Sequence, residues 1–266
     1  LLNISSEVHD LSNYELLGAV RIRFNDFSIQ PGQRVVIVKR VRAFRARYGD
    51  SVPVIGEYSG NLNNNYEELI LRDPSDQTIL DFNYFGDWYE STDGKGHSLN
   101  IVNANGGPVF WSVEDGWRPS KSIHGSPGKK SDPYFSWAWN NFSDSAAIDS
   151  SISGELEDPD NDSLANIAEY ALGTDPTTHD EGCFHSVADE DGKKFMVLTH
   201  TIAGSVTDVE MVLERSSDLK TWNTIDPLSE NYMDSELKNG VRQRTIIDDI
   251  PISSGVRRFY RLVVRR

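Results

Sequence analysis

The chain has 266 residues, 38% of them hydrophobic, which suits one large packed domain or two smaller ones. Its only cysteine is Cys183, so an intrachain disulfide framework is excluded. The net charge of −15 makes nucleic acid an unfavourable partner. No apolar run reaches the roughly 18 residues of a transmembrane helix, so no membrane-spanning segment is predicted.

The negative charge is concentrated in one segment. Residues 1–130 carry 16 acids and 14 bases, and residues 183–266 carry 13 acids and 12 bases. Residues 131–182 carry 12 acids and no Lys or Arg. A block of like charge either stays solvated or collects cations.

The first 130 residues predict short strands separated by turns. AVRIRF at 19–24 alternates apolar and polar residues, and RVVIVK at 34–39 follows a Pro-Gly turn. Two apolar runs within 67–85 flank a turn at 73–76, which indicates a hairpin. Short strands at this spacing are typical of a β-sandwich.

KRVRAFRAR at 39–47 has five bases in nine residues and allows two interpretations. It is either a patch for an anionic polymer or an amphipathic helix that ends at Gly49. The helix would turn Val41, Phe44 and Tyr48 inward and leave the arginines solvated.

Residues 131–182 are interpreted as an acidic linker. The stretch 131–155 is rich in Ser, Asp and Asn, and NIAEYALG at 166–173 predicts a short helix closed by glycine. Residues 183–266 contain four strong β runs and predict a second sandwich. The predicted fold is therefore mainly β, with two β-sandwich domains, 1–130 and 183–266, joined by the linker.

The linker contains the ligand order of an EF-hand-type calcium loop. Counted from Asp158 as position 1, the predicted ligands at positions 1, 3, 5, 7, 9 and 12 are Asp158, Asp160, Asp162, the carbonyl of Leu164, Asn166 and Glu169. Calcium is a hard cation that takes six to eight oxygen ligands, and alternating Asp residues in a tight turn supply them at one centre. A solvated acidic turn that caps the helix is the alternative.

Position 6 of the loop is Ser163, where the standard loop has glycine for a sharp turn. A residue with a Cβ is expected to adopt a strained backbone there, at a cost on the order of 1 kcal/mol. One loop between two β domains predicts a structural brace, because a sensor pairs two loops and exposes an apolar groove.

The string DPDNDSLANIAEYALGTDP at 158–176 resembles the bacterial thrombospondin type 3-like or dockerin-like calcium segment. It departs from that family at Asn161 and Ser163, where the family has glycine. The resemblance implies a secreted or surface-anchored bacterial protein, with Asp175 as a further candidate ligand.

Several segments in order resemble bacterial lamin-tail domains, among them DLSNY at 10–14, GEYSGNLNNNYEELILRD at 56–73 and GWRPSKSIHGSPG at 116–128. That family is an immunoglobulin-like sandwich that opens with further strands, so the domain is interpreted as truncated at its start. An open edge near residues 1–25 is therefore expected. An upstream domain of the same protein, or another protein chain, would fill it by β-augmentation.

VLERSSDLKTWNTI at 212–225 and RRFYRLVV at 257–264 resemble a β domain that ends many large secreted bacterial proteins. The sequence contains no nucleophile elbow and no phosphate-binding loop. Exposed tryptophans could stack on sugar rings, which makes polysaccharide a candidate partner; core packing is the other interpretation.

These observations predict a non-catalytic, secreted or cell-surface region with a structural or adhesive role and one Ca²⁺ in its linker. Two alternatives remain at this point. The chain could be the accessory C-terminal region of a larger secreted enzyme, carbohydrate-active or kinase-like, or it could be a carbohydrate-binding module.

Overall fold

The computed structural model describes residues 1–63, 65–225, 232–236, 240–252 and 257–266. The chain divides into two compact units, Leu1–Ser131 and Asp132–Arg266. Strand residues outnumber helix residues in both units, so the prediction of a mainly β protein is confirmed.

The strands of the first unit are β1 (His9–Asp10), β2 (Glu15–Gly18), β3 (Val20–Arg23), β4 (Ser28–Ile29), β5 (Val36–Val38), β6 (Val54–Glu57), β7 (Ser59–Gly60), β8 (Tyr66–Arg72), β9 (Thr78–Phe85), β10 (Leu99–Ile101) and β11 (Trp117–Pro119). Its helices are α1 (Val41–Tyr48) and α2 (Gly107–Trp111), and a 3₁₀ turn covers Glu114–Gly116.

The main sheet of the first unit has the antiparallel order β7-β3-β2-β8-β9. The β8–β9 hairpin occurs where the sequence predicts it, and the Asp73 carboxylate closes its turn by accepting from the Ser75 and Gln77 N–H groups at 2.9 and 2.8 Å. The strand β2 has neighbours on both sides, so it is not an open edge. The core beside this sheet is a cluster of five buried residues: Leu11, Phe24, Ile29, Val35 and Leu71.

The strands β5 and β6 are parallel and are connected through α1. This crossover departs from the all-antiparallel pattern of a typical sandwich, because parallel neighbours need a long connection. The helix α1 confirms the amphipathic interpretation of 39–47: Val41, Phe44 and Tyr48 are half-buried, and the other residues of α1 are exposed. The backbone leaves the helix at Gly49 with φ 78°.

Two tryptophans of the first unit belong to its interior. Trp111 and Trp117 are each 8% exposed, and both rings pack on Phe82 with centroids 5.7 and 5.8 Å away. Their indole N–H groups donate to the carbonyls of Asn103 and Trp111. These two rings therefore present no open face on which a sugar could stack.

The strands of the second unit are β12 (Phe184–Glu190), β13 (Lys193–Ala203), β14 (Glu210–Ser216), β15 (Asn223–Thr224), β16 (Tyr232–Glu236), β17 (Val241–Ile247) and β18 (Phe259–Arg265). Its helices are α3 (Pro133–Asn141), α4 (Asp144–Ala147) and α5 (Asn166–Leu172). The strands form two antiparallel sheets, with the orders β12-β13-β17-β16 and β15-β14-β18. Leu198 and Ile246 from the first sheet and Leu213 from the second form one buried cluster.

Two helices of the second unit were not anticipated. Residues 131–155 were interpreted as linker from their composition, yet α3 and α4 form within them. The local signal was present, because Asp132 caps α3 by accepting from the Tyr134 N–H at 3.1 Å and Pro133 occupies the first turn. The tertiary reason is that Tyr134 and Ala138 are buried against Tyr170.

A buried carboxylate joins the two sheets of the second unit. Asp248 is 1% exposed and accepts hydrogen bonds from Arg215, from Tyr260 and, at 3.1 Å, from Arg258. The neighbouring Asp249 binds the same Arg215 at 2.7 Å, but its side chain is 66% exposed.

We expect Asp248→Ala to destabilise the second unit by about 3–5 kcal/mol, because it leaves largely buried guanidinium groups without their acceptor. Hydrogen exchange of the β13 and β17 amides in urea measures the free energy of unfolding of the second unit separately from that of the first. The matched variant Asp249→Ala should cost about 0–1 kcal/mol, since its ion pair is exposed. Equal losses in the two variants would contradict this account.

Candidate metal centre

Three aspartates of the predicted loop converge. One carboxylate oxygen from each of Asp158, Asp160 and Asp162 lies within 4.8 Å of the others. Backbone N–H groups hold them in place: Asp162 donates to Asp158 Oδ1 at 3.1 Å and to Asp160 Oδ1 at 3.2 Å, and Leu164 donates to Asp162 Oδ1 at 2.7 Å. The loop therefore turns its carboxylates toward one centre, although their negative charges repel one another.

The backbone of the loop is left-handed at the two positions where the sequence departs from glycine. Asn161 has φ 61° and Ser163 has φ 76°. The expected strain at position 6 is thus present. Asparagine adopts this region far more readily than serine, so the cost falls mainly on Ser163.

Glu169, at position 12 of the loop, lies on α5. The residue is 0% exposed, and neither oxygen of its carboxylate has a hydrogen-bond partner among the described residues. The helix that carries it ends at Gly173, whose φ of 77° allows its N–H to bond to the Glu169 carbonyl at 2.7 Å. A carboxylate that is fully buried and unpaired is strongly unfavourable unless it is protonated or neutralised by a cation.

The pKa of Glu169 reflects this burial without a partner. Burial in the first place, and then the negative charges of Asp160, Asp162, Asp180 and Asp158, raise the pKa of its carboxyl from 4.5 to about 8. Burial likewise raises the pKa of Asp160, with its neighbours Asp162 and Asp158 contributing. In the absence of a cation, the site therefore favours a proton on Glu169.

Asn166, the predicted ligand at position 9, is also fully buried. Its amide nitrogen donates to the carbonyls of Ile152 and Gly154 at 2.8 and 2.9 Å. Its amide oxygen has no partner among the described residues. The buried side-chain oxygens without partners in the described chain belong to Asp160, Asn166, Glu169 and Thr174. Three of these four residues are predicted ligands.

The returning chain brings in a carboxylate that sequence reasoning missed. The Asp180 N–H donates to Asp162 Oδ2 at 2.8 Å, and the charge of Asp180 contributes to the raised pKa of Glu169. Asp180 lies outside the twelve-residue loop, so ligand spacing gives no signal for it. The side chain of Leu164 reaches the same returning segment, since a Cβ added at Gly182 would lie 2.7 Å from Leu164 Cδ2.

Asp175, like Asp180 and Glu169, is not among the three converging aspartates, and its N–H donates to Asp180 Oδ2 at 3.4 Å. It is exposed, and its Oδ1 accepts from the Thr177 N–H at 2.9 Å and from the Thr177 hydroxyl at 2.7 Å. This local turn occupies the carboxylate of Asp175. The structure thus brings together the carboxylates of Asp158, Asp160 and Asp162, and it leaves the side-chain oxygens of Glu169 and Asn166 buried without partners among the described residues.

Comparisons with protein-family models, with characterised proteins and with solved structures found no match for this chain. Within the described part of the chain, no helix is both long and apolar enough to cross a membrane.

The raised pKa of Glu169 gives a pH dependence of stability without a cation. Between about pH 4.5 and pH 8 the folded protein keeps a proton that the unfolded chain releases, so stability falls as pH rises through this window. In EDTA, we expect the melting temperature of the wild type to decline relative to that of Glu169→Gln. Calorimetry at intervals across this range measures the difference.

The matched variant for that experiment is Glu181→Gln, which removes an exposed carboxylate outside the loop. Its melting curve should follow the wild type at every pH. Parallel pH profiles for the wild type and Glu169→Gln would show that the buried carboxylate carries no such penalty.

Ser163→Gly should stabilise the second unit by up to about 1 kcal/mol, because glycine adopts the observed positive φ without a Cβ penalty. Asn161→Gly should have a smaller effect, since asparagine tolerates this region. Urea unfolding in EDTA measures the free energy of unfolding of both variants. A larger gain from Asn161→Gly than from Ser163→Gly would be inconsistent with strain at position 6.

Proposed function

We propose that the loop binds one calcium ion through Asp158, Asp160, Asp162, the carbonyl of Leu164, Asn166 and Glu169. The observation that carries this proposal is the Glu169 carboxylate, which is 0% exposed, has no partner among the described residues, and lies among the charges of the loop aspartates. A divalent cation would neutralise this group and favour its ionised form. We add Asp180 to the candidate ligands and leave Asp175 out.

The donor set favours calcium over other common ions. Every candidate ligand is an oxygen, which suits a hard cation and disfavours zinc, whose structural sites are built from Cys and His. Magnesium demands near-ideal octahedral geometry and keeps several waters, whereas calcium accepts six to eight oxygens in a flexible arrangement. A loop of three aspartates with a glutamate on the following helix offers the second kind of site.

The ion would act as a brace within the second unit. The helix α5 is tied to the β region, because the Tyr170 hydroxyl donates to Asp208 at 2.6 Å and Leu172 is 1% exposed. Arg266 binds Asp132, Glu155 and, at 3.0 Å, Asp208. Calcium would fix the loop onto α5, and these contacts join α5 and the acidic segment to the strands.

We propose further that the second unit is an immunoglobulin-like β-sandwich. Its two sheets are antiparallel throughout the described strands, and side chains from both sheets meet in one cluster. We interpret the first unit as a lamin-tail-like sandwich that carries the β5–α1–β6 crossover in addition.

The most consistent role is a non-catalytic, structural or adhesive region of a secreted or cell-surface bacterial protein. Extracellular calcium modules bind at roughly 10⁻⁴–10⁻³ M, a range that external calcium fills. A loop with serine at position 6 and a costly backbone suits such a modest affinity. Of the tryptophans that a glycan could use, Trp111 and Trp117 are buried, whereas Trp88, Trp137 and Trp139 are half-buried.

Calcium titration tests the site. Isothermal calorimetry should give one calcium per chain, and an excess of about a hundredfold over Kd should stabilise the second unit by roughly 2.7 kcal/mol. Glu169→Gln should weaken binding by at least about tenfold, because it removes the charge that closes the site. Asp180→Asn should also weaken binding.

Asp144→Asn is the matched control, since it changes an exposed carboxylate in α4, outside the loop, and should leave the affinity unchanged. Absence of calcium binding at millimolar concentration would overturn the proposal. Equal affinity for magnesium would overturn the choice of ion.

A further inference from the structure

The strand β12 is an unprotected edge of its sheet in the second unit. Among the described strands it pairs with β13 alone, in seven consecutive pairs without a register shift. Edge strands are commonly protected by proline, lysine or a β-bulge, and residues 184–190 contain none of these. Phe184 and Val187 are instead 54% and 53% exposed. A regular, exposed strand of this kind is able to pair with a further strand.

The hydrogen bonds of β13 show which backbone groups of β12 face the open edge. The Met196 carbonyl accepts from the Asp248 N–H at 2.8 Å, so the backbone groups of Met196 point toward β17. Val187 lies opposite Met196 in the antiparallel ladder, and its own N–H and C=O therefore point away from β13. Because backbone groups alternate sides along a strand, His185 and Asp189 have the same orientation. Three donors and three acceptors thus line the open edge.

Antiparallel pairing of β12 with β12 of a second copy, centred on Val187, satisfies all of these groups. In this register Val187 of one copy lies opposite Val187 of the other. His185 lies opposite Asp189, and the two-fold axis repeats this pair on its other side. Since every residue in these pairs has outward backbone groups, each N–H meets a C=O.

The side chains of β12 favour this register over its neighbours. The ring N–H of His185 can donate to the Asp189 carboxylate, and Glu190 lies opposite Phe184, so no acid faces an acid. A register centred on Asp189 would instead place two carboxylates directly opposite each other, which is destabilising. One centred on His185 would leave the backbone groups of Asp189 unpaired.

The same pairing would cover exposed apolar surface. Val187 lies beside Met196 on β13, and Met196 packs against the buried cluster that joins the two sheets. Two Val187 side chains brought together at the new strand pair would extend this apolar layer across both copies. Burial of apolar surface stabilises the association.

We propose that two copies of the chain associate through β12 as a symmetric antiparallel pair. The four-stranded sheets of the two copies would form one continuous sheet. The interface is isologous, because the same strand serves both partners. It is also small, and interfaces of this size form transient complexes, so we expect a Kd of about 10 μM to 1 mM. The inference is independent of the calcium site.

Sedimentation velocity of the full chain at increasing concentration tests the association. We expect His185→Lys to strengthen the dimer, because lysine would face Asp189 of the other copy. His185→Glu should weaken it by about tenfold, because two acids would then face each other. His185 is exposed, so neither variant disturbs the core.

Gln77→Lys and Gln77→Glu are the matched controls. They make the same changes in net charge at an exposed position of the first unit and should leave the dimer affinity nearly unchanged. A chain that stays monomeric up to about 1 mM would overturn the proposal. A dimer that responds equally to His185→Lys and His185→Glu, or as strongly to the Gln77 variants, would also overturn it.

Hydrogen exchange locates the interface without any substitution. The Val187 amide points to the open edge, so its exchange should slow as the protein concentration passes through Kd. The Ala188 amide points toward β13 and should change much less. A dimer in which exchange at Val187 does not slow would place the interface elsewhere and would contradict the proposal.

Discussion

The second unit depends on how the buried carboxylate of Glu169 is neutralised. Glu169 is 0% exposed, and burial first, followed by the charges of the neighbouring aspartates, raises the pKa of its carboxyl to about 8. Desolvation and like charge act in the same direction here, and both are removed only by a proton or a cation. A solvated acidic turn would avoid this problem by splaying its side chains into water. The loop instead holds them together, although Ser163 must adopt a strained, left-handed backbone to do so.

The charge distribution explains why the neutralising groups come from elsewhere. Residues 131–182 contain no Lys or Arg, so the segment cannot balance its own charge. Arg266 neutralises Asp132 and Glu155, from which it is separated by more than a hundred residues in sequence. The described chain has no Lys or Arg paired with the loop aspartates or with Glu169. The segment therefore has two kinds of counter-ion: an arginine at its periphery and, in our proposal, calcium at its centre.

In the first unit, by contrast, the charged residues around a large apolar cavity are basic. Among the described residues, this cavity is lined by several Lys and Arg and by no Asp or Glu. Interpretation of the sequence places an open edge near residues 1–25, yet β2 has neighbours on both sides in the sheet.

Local patterns were sufficient for much of the secondary structure and for the order of the candidate ligands. The β8–β9 hairpin, the amphipathic α1 and the glycine-closed α5 follow from turn residues and periodicity, which are encoded in neighbouring positions. The spacing from Asp158 to Glu169 is likewise a local property of the chain.

Only the tertiary structure decided burial, and burial separates a metal centre from an acidic turn. Whether Glu169 is buried depends on how α5 packs against residues that are far away in sequence. The Tyr170 hydroxyl, for example, donates to Asp208. The approach of Asp180 and the helix α3 inside a Ser- and Asn-rich stretch depend in the same way on contacts between residues far apart in sequence. Spacing can specify which oxygens could meet, but the free energy of their desolvation is set by everything that packs around them.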